Sequence, residues 1–409
     1  MKKILKMRRV IAILFTVVVM SMVTGCSAKD TVSYNLSKDA DEFRVVRRVV
    51  FYNSITDTYM MEMVGNIAID LGTASVLVYT RSKGVVINEP AVVAIDNYTG
   101  KILSVGRQAK KMLGRTPGNI IATRPMKDGV IADFNSTEKM LKYFIEKTVG
   151  KSLVRPNLVI CVPSEITQVQ RRAVIQASKL AGAYKTYLIE EPLAAAIGAG
   201  VDIADAGGNM IIDIGGGTTD VAVIALGGIV INKSINVAGD NCDKAIADYI
   251  KRKYNMIIGE RTAEKIKINI GSAYPKDDDE LFEVRGRNII NGLPMHVFVT
   301  SADICEAMEK PLNEIVQAVH DVLEQTPPEL AADLFDRGVL MTGGGSLIPN
   351  LDKRIQDRIG INVKLTDAPI TAVVRGTGKA INWIEKLDSS EVGEEDGRRV
   401  ALEKRIKRI

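Results

Sequence analysis

Two short segments carry the residues best suited to chemistry. Residues 66–79 read NIAIDLGTASVLVY and residues 209–224 read NMIIDIGGGTTDVAVI. In each, an apolar run ends on an aspartate (Asp70, Asp213), turns through Gly and Thr, and re-enters an apolar run, as a β-hairpin would. Glycine lets a backbone come close to a phosphate with no Cβ in the way. Consecutive N–H groups of such a turn, with threonine hydroxyls, donate to phosphate oxygens. An aspartate at the strand end can hold a hydrated Mg²⁺, which prefers carboxylate, water and phosphate oxygens. One such turn alone reads equally well as a structural hairpin. Two of them, each following an apolar strand and each led by Asp, point to a triphosphate clamped across a cleft. A third glycine segment, VLMTGGGSL at residues 339–347, reads as a strand, a turn and then a helix beginning near Ile348. That helix N-terminus would face the phosphates.

The elements that must hold these turns follow from their spacing. Asp213 lies 143 residues after Asp70, too far for a solenoid repeat and suited to duplication of a whole domain. Neither GxGxxG nor GxxxxGK[ST] opens a helix in the expected context, which excludes the common dinucleotide and P-loop folds. The 409 residues are 46% hydrophobic and 25% charged, an ordinary globular balance with room for two or three cores. A net charge of +5 with acids and bases intermixed argues against a nucleic-acid partner. Two histidines and four scattered cysteines (Cys26, Cys161, Cys242, Cys305) fit neither a zinc site nor a disulfide framework.

The first sixty residues read differently. Lys2, Lys3, Lys6, Arg8 and Arg9 precede an apolar run at residues 10–23, and Val23-Thr24-Gly25-Cys26 resembles a lipobox. The run suits a signal-peptide core better than a membrane span. Residues 1–63 thus form an extension at odds with the nucleotide chemistry downstream. Met60, Met61 and Met63 offer a translation start that would remove it, and the alternative is a genuine membrane tether.

Longer stretches carry a family resemblance: INEPAVVAID at 87–96, GRTPGNIIATRPMKDGVIADF at 114–134, LIEEPLAAAIGAG at 188–200, IGERTAEKIKINIG at 258–271 and TPPELAADLFDRGVLMTGGGSLI at 326–348. Together with the three glycine segments, they resemble the MreB/Mbl family of bacterial actin-like cell-shape proteins, within the actin/hexokinase/heat-shock ATPase superfamily. The resemblance runs from about Val64 to Leu387. It implies an α/β, actin-like fold of two mixed-sheet domains with a nucleotide cleft between them. The first would comprise residues 64–205 completed by 366–390, the second 206–365, with a charged tail at 391–409.

Site residues follow from the same resemblance. Asp70, Gly72, Thr73 and Ala74 would line the first phosphate loop, and Gly215, Gly216, Gly217, Thr218 and Thr219 the second. Asp70 and Asp213 would hold Mg²⁺ through water. Glu260, Glu264, Lys265, Ile266 and Lys267, with Gly343, Gly344, Gly345 and Ser346, would bracket the ribose and base of ATP. Glu191 would position the attacking water, helped by Thr218; without the resemblance, Glu190-Glu191 reads as a solvated loop pair. Orienting water suffices, because phosphoryl transfer depends mainly on positioning and charge neutralisation. Two departures stand out: Gln170 where relatives commonly carry Glu, implying a missing salt bridge, and Asp220, which leans toward the Mbl side.

The implied partners are the chain itself, in head-to-tail filaments, the inner face of the cell membrane, and cell-wall synthesis and elongation proteins. Leu153 and Val154, between Lys151 and Arg155, would make a shallow membrane contact, multiplied along a filament. A basic tail, ALEKRIKRI at 401–409, reads as solvated. Because this fold also serves kinases and chaperones, a non-polymerising regulatory ATPase is the competing expectation. A small-molecule kinase would need a sugar-sized pocket that no extra segment here offers, and a chaperone a peptide-binding domain after residue 390, where only the charged tail is read.

Overall fold

The computed structural model of the chain describes residues 66–150, 155–276 and 278–388, with strands Arg47–Val49 and Met61–Val64. Those two strands pair antiparallel, Arg47 opposite Val64. The lipobox-like segment, Leu153, Val154 and the 391–409 tail lie outside the described residues. No helix among the described residues is long and apolar enough to cross a membrane.

From Asn66 onward, two five-stranded sheets share one topology. In the first, Gly84–Pro90, Ser75–Thr80 and Asn66–Leu71 form an antiparallel meander, continued by parallel strands Asn157–Val162 and Thr186–Glu190. In the second, Gly228–Ile235, Thr219–Ala225 and Asn209–Ile214 form the meander, continued by Val339–Thr342 and Val363–Leu365 in parallel. Counted in order of appearance within each sheet, both run 3-2-1-4-5, the duplication expected from the repeated Asp-Gly-Thr hairpins. The central strands are apolar on both faces, as strands covered on both sides must be. Ile67, Ala68 and Ile69 in one, and Met210, Ile211 and Ile212 in the other, are buried.

Each sheet carries a small three-stranded insert. In the first half this is Val93–Asp96, Ile102–Val105 and Ile120–Thr123 beside the helix Arg107–Met112. In the second it is Met256–Ile257, Leu281–Asn288 and Pro294–Thr300 beside the helix Glu260–Ile270.

The helix Glu191–Ala199 sits among residues of both sheets. Its sequence EPLAAAIGA is apolar all round after Pro192, and Leu193 to Ile197 are buried with Ala68 and Val159 of one sheet and Ile211 and Ala222 of the other. A helix apolar on every face belongs inside. The helix Ala372–Asp388 crosses it closely: a Cβ on Gly376 would overlap the carbonyl of Ala194, and one on Gly198 the carbonyl of Ala372. This packing fixes the axis whose first residue is Glu191.

Candidate functional site

The three glycine segments converge. Asp70 is the penultimate residue of its strand, and Gly72 N–H donates to Ser75 O at 3.1 Å to close the first turn. In the second, Gly215 N–H donates to Thr218 O at 2.9 Å. The turns abut so closely that a Cβ on Gly216 would lie 2.5 Å from Ala74 Cβ, and one on Gly217 2.5 Å from Thr73 Oγ1. Gly343, at φ 86°, passes beside the second turn, where a Cβ would lie 2.5 Å from Asp213 Oδ1. Gly345 is equally tight against Ile214 and Gly215. Gly344 has open space around it, and the buried Ser346 hydroxyl donates back to Gly343 O at 2.6 Å. Instead of a helix at Ile348, a 3₁₀ turn spans Gly345–Leu347 and the helix begins at Leu351. Pro349 and a left-handed Asn350 separate the two.

Four carboxylates crowd this junction. Glu191, Asp213 and Asp220 are only 9%, 7% and 1% exposed. Burial, then the charges of Asp220, Asp70 and Asp213, pushes Glu191 well above the usual carboxylate range. Burial, then Asp220 and Asp70, does the same to Asp213. Asp70 is raised to about 6 by burial, against a thiol hydrogen bond from Cys161 Sγ at 3.4 Å. Burial also raises Asp220, while Ser164 opposes it by donating from N and Oγ at 3.2 and 3.1 Å. Asp213 Oδ1 is buried without a hydrogen-bond partner. Such a group is costly unless something completes it. The donor set of clustered carboxylates beside glycine turns fits a hard divalent cation with water and phosphate oxygens.

Other candidates divide. Thr218 is buried beside Gly129, whereas the hydroxyl of Thr219 donates to Val237 O at 2.7 Å within its own half. On the helix Glu260–Ile270, Glu264 and Lys267 are half-buried, Glu260 and Lys265 are exposed, and Ile266 is buried in the core of the second half. Helical periodicity separates them, since Ile266 shares a face with Ala263 and Ile270. Lys267 Nζ lies 2.8 Å from Asp243 and donates to Gly239 O at 2.7 Å. Glu264 takes both its oxygens to Lys110 Nζ, at 2.8 and 2.7 Å. Glu190 pairs with Arg171 at 3.2 Å, leaving Glu191 as the one of the two that faces the carboxylate cluster.

Three contributors are not among the expected site residues. Gly129 N–H donates to Thr73 Oγ1 at 2.9 Å, and a Cβ there would press on Pro163 and Thr218. It forms with Asp128 a two-residue turn, φ 73° and 50°, between Met126–Lys127 and Val130–Ile131. Asp-Gly between apolar residues is a strong hairpin signal, so this turn was visible in the sequence though its destination was not. Cys161 follows from register, which pairs it with Asp70 and Asp220 with Asp213, while Ser164 lies two residues past the strand Asn157–Val162 and reaches Asp220 by packing. Gln170 does not leave a gap: its side chain accepts from Thr167 N–H at 2.9 Å and completes a capping box.

A duplicated 3-2-1-4-5 sheet, with two Asp-Gly-Thr hairpins meeting over a buried carboxylate cluster, defines an actin-like two-domain protein. The family described as MreB/Mbl protein matches residues 64–389. The chain belongs to that family, an actin-like cytoskeletal family of cell shape. It is 50% identical over 323 residues to cell shape-determining protein Mbl of Bacillus cereus, covering 79% of this chain and 97% of that one. It is 51% identical over 326 residues to cell shape-determining protein MreB of Escherichia coli, covering 78% and 94%. These two identities do not separate the paralogues. MreB5 of Spiroplasma citri bound to ADP superposes with a TM-score of 0.76 at 37% identity, covering 80% of this chain and 99% of that structure. It has also been solved bound to AMPPNP. At 20% identity and a TM-score of 0.67, a MamK double helical filament structure, covering 78% of this chain and 99% of its own, shares the fold. A second description, Mycobacterium phage VG64, matches residues 6–85.

Proposed function

We propose that the chain is an ATP-dependent filament protein that works on the inner membrane face to direct cell-wall synthesis, with a slow ATPase coupled to filament turnover. The observation that carries the nucleotide part is the junction of the two glycine turns beside Asp213, whose buried Oδ1 lacks a partner. In this reading the domains comprise 64–205 with 366–390, and 206–365. Gly72, Thr73 and Ala74, packed against Gly215, Gly216 and Gly217, would line the triphosphate together with Thr218, while Glu264 and Lys267 would lie toward the ribose and base. Asp70 and Asp213 would hold Mg²⁺, which supplies charge neutralisation at the phosphates. Glu191, fixed at the first turn of a buried helix, orients the attacking water toward the terminal phosphate. Burial and the charges of Asp220, Asp70 and Asp213 hold Glu191 toward its protonated form; neutralising those carboxylates would favour the ionised form, which can accept from water.

The bound nucleotides of the 37% identical MreB5 structures support this assignment. Leu153 and Val154 are proposed as the membrane contact, with wall-synthesis and elongation proteins as partners. Titration calorimetry of the full chain with ATP and GTP, each with and without Mg²⁺, tests the nucleotide part. Saturable, Mg²⁺-strengthened binding is expected; absence of binding to either nucleotide would refute it.

A further inference from the structure

Beyond the phosphate turns, the first insert also touches the second half, at the helix Glu260–Ile270 of its insert and at the helix Gly239–Tyr254. Lys110, on the helix Arg107–Met112 of the first insert, gives Nζ to both oxygens of Glu264 on the helix Glu260–Ile270 of the second half, at 2.8 and 2.7 Å. Arg124, just past the strand Ile120–Thr123, reaches Asp240 at 3.4 Å. Arg261 donates back across the same gap to Lys111 O at 3.4 Å. All four charged side chains of the two ion pairs are partly shielded, between 22% and 36% exposed.

These contacts do not end at the surface. Asp240 N–H donates to Gly216 O at 2.8 Å, tying one of the bridged residues to the second phosphate turn. Glu264 lies one turn before Lys267, whose ammonium holds Gly239 O and Asp243 next to the same turn. A path of direct contacts therefore runs from the first insert, through Lys110 or Arg124, to the glycine turn and the proposed ribose side of the cleft.

We propose that Lys110 and Arg124 form an electrostatic clasp, with Glu264 and Asp240, that sets the rate at which nucleotide leaves the cleft. Lys110 is a positioning residue: it holds Glu264 from the other half and need not touch the nucleotide. This inference rests on the nucleotide reading above. Single exposed ion pairs contribute little to stability. Two pairs that must break together for one opening motion act on the opening rate, and salt should weaken them because the Debye length is about 8 Å at physiological ionic strength.

The experiment follows a fluorescent N-methylanthraniloyl-ATP, preloaded with Mg²⁺ on the full chain, as it is chased by excess ATP in a stopped-flow instrument. Lys110→Ala should speed release roughly fivefold, and Lys110→Arg should keep the wild-type rate. Added salt should speed release from the wild type but not from the Lys110→Ala, Arg124→Ala double variant. Reversing the second pair, with Arg124→Asp alone, should speed release, and adding Asp240→Arg should slow it again. Normal binding with a double-variant release rate and salt response equal to the wild type would overturn the clasp alone. A wild-type chain that never binds the probe would overturn the clasp together with the nucleotide reading.

Discussion

Replacing Asp70 with Asn tests the carboxylate cluster without removing any of its geometry. Asn keeps the shape of the side chain and an oxygen that can accept from Cys161 Sγ. Burial raises Asp70 from 3.8 to about 6. A carboxyl with a raised folded pKa binds its proton more tightly in the native state. Its stabilising contribution is thus present below about pH 4 and is lost as pH rises through about 6. At about 1.4 kcal/mol for each unit, the unliganded wild type should carry a penalty approaching 3 kcal/mol at pH 8. That value is a ceiling, because water entering the cleft screens the charges. Asp70→Asn removes the penalty. Thermal unfolding of the nucleotide-free chain from pH 4 to pH 8 should therefore show equal midpoints at the acid end. The variant should melt several degrees higher above pH 6. With Mg²⁺ and ATP the order should reverse, because the wild type gains binding energy that the amide cannot supply. A variant less stable than wild type at pH 8 without ligand, or a difference independent of pH, would refute the reasoning.

Glu191→Gln should bind ATP as the wild type does while releasing phosphate about 10²-fold more slowly or worse, measured by a phosphate-sensor assay; unchanged turnover would remove Glu191 from the water. Gly216→Val places a side chain where Ala74 already sits and should sharply weaken ATP binding in calorimetry. A much smaller loss is expected for the same change at Gly344, which has open space. Gly376→Leu forces the helix Ala372–Asp388 off the helix that carries Glu191 and should cost at least about 1–3 kcal/mol in urea unfolding. Ser164→Ala removes one of the donors on the buried Asp220 and should cost about 1 kcal/mol in the same assay.

Much of this was legible because the chemistry and the strands share the same residues. The apolar runs before Asp70 and Asp213 are both the central strands and the leads into the turns, so locating the turns located the sheets. The duplication followed from their likeness, and the matching strand order is its structural counterpart. Contacts that depend on how distant segments meet were not legible. Asp128-Gly129 announces a turn, but nothing local says that it will rest on Thr73. Asp220 reads as a family variant until the register sets it opposite Asp213 and the packing brings Ser164 to it. Within the Glu260–Ile270 helix, the family likeness grouped five candidates, four of them consecutive. Helical periodicity turns Ile266 into the core and Lys265 to solvent, and brings Glu264 to Lys110.

The most direct measurement of the central claim is high-speed pelleting of the purified full chain, with electron microscopy, in the presence and absence of Mg-ATP and of anionic lipid vesicles. The account predicts filaments that require nucleotide and collect on the vesicles. A chain that hydrolyses ATP yet stays a soluble monomer under every condition would contradict it, and would point instead to a regulatory ATPase on the same fold.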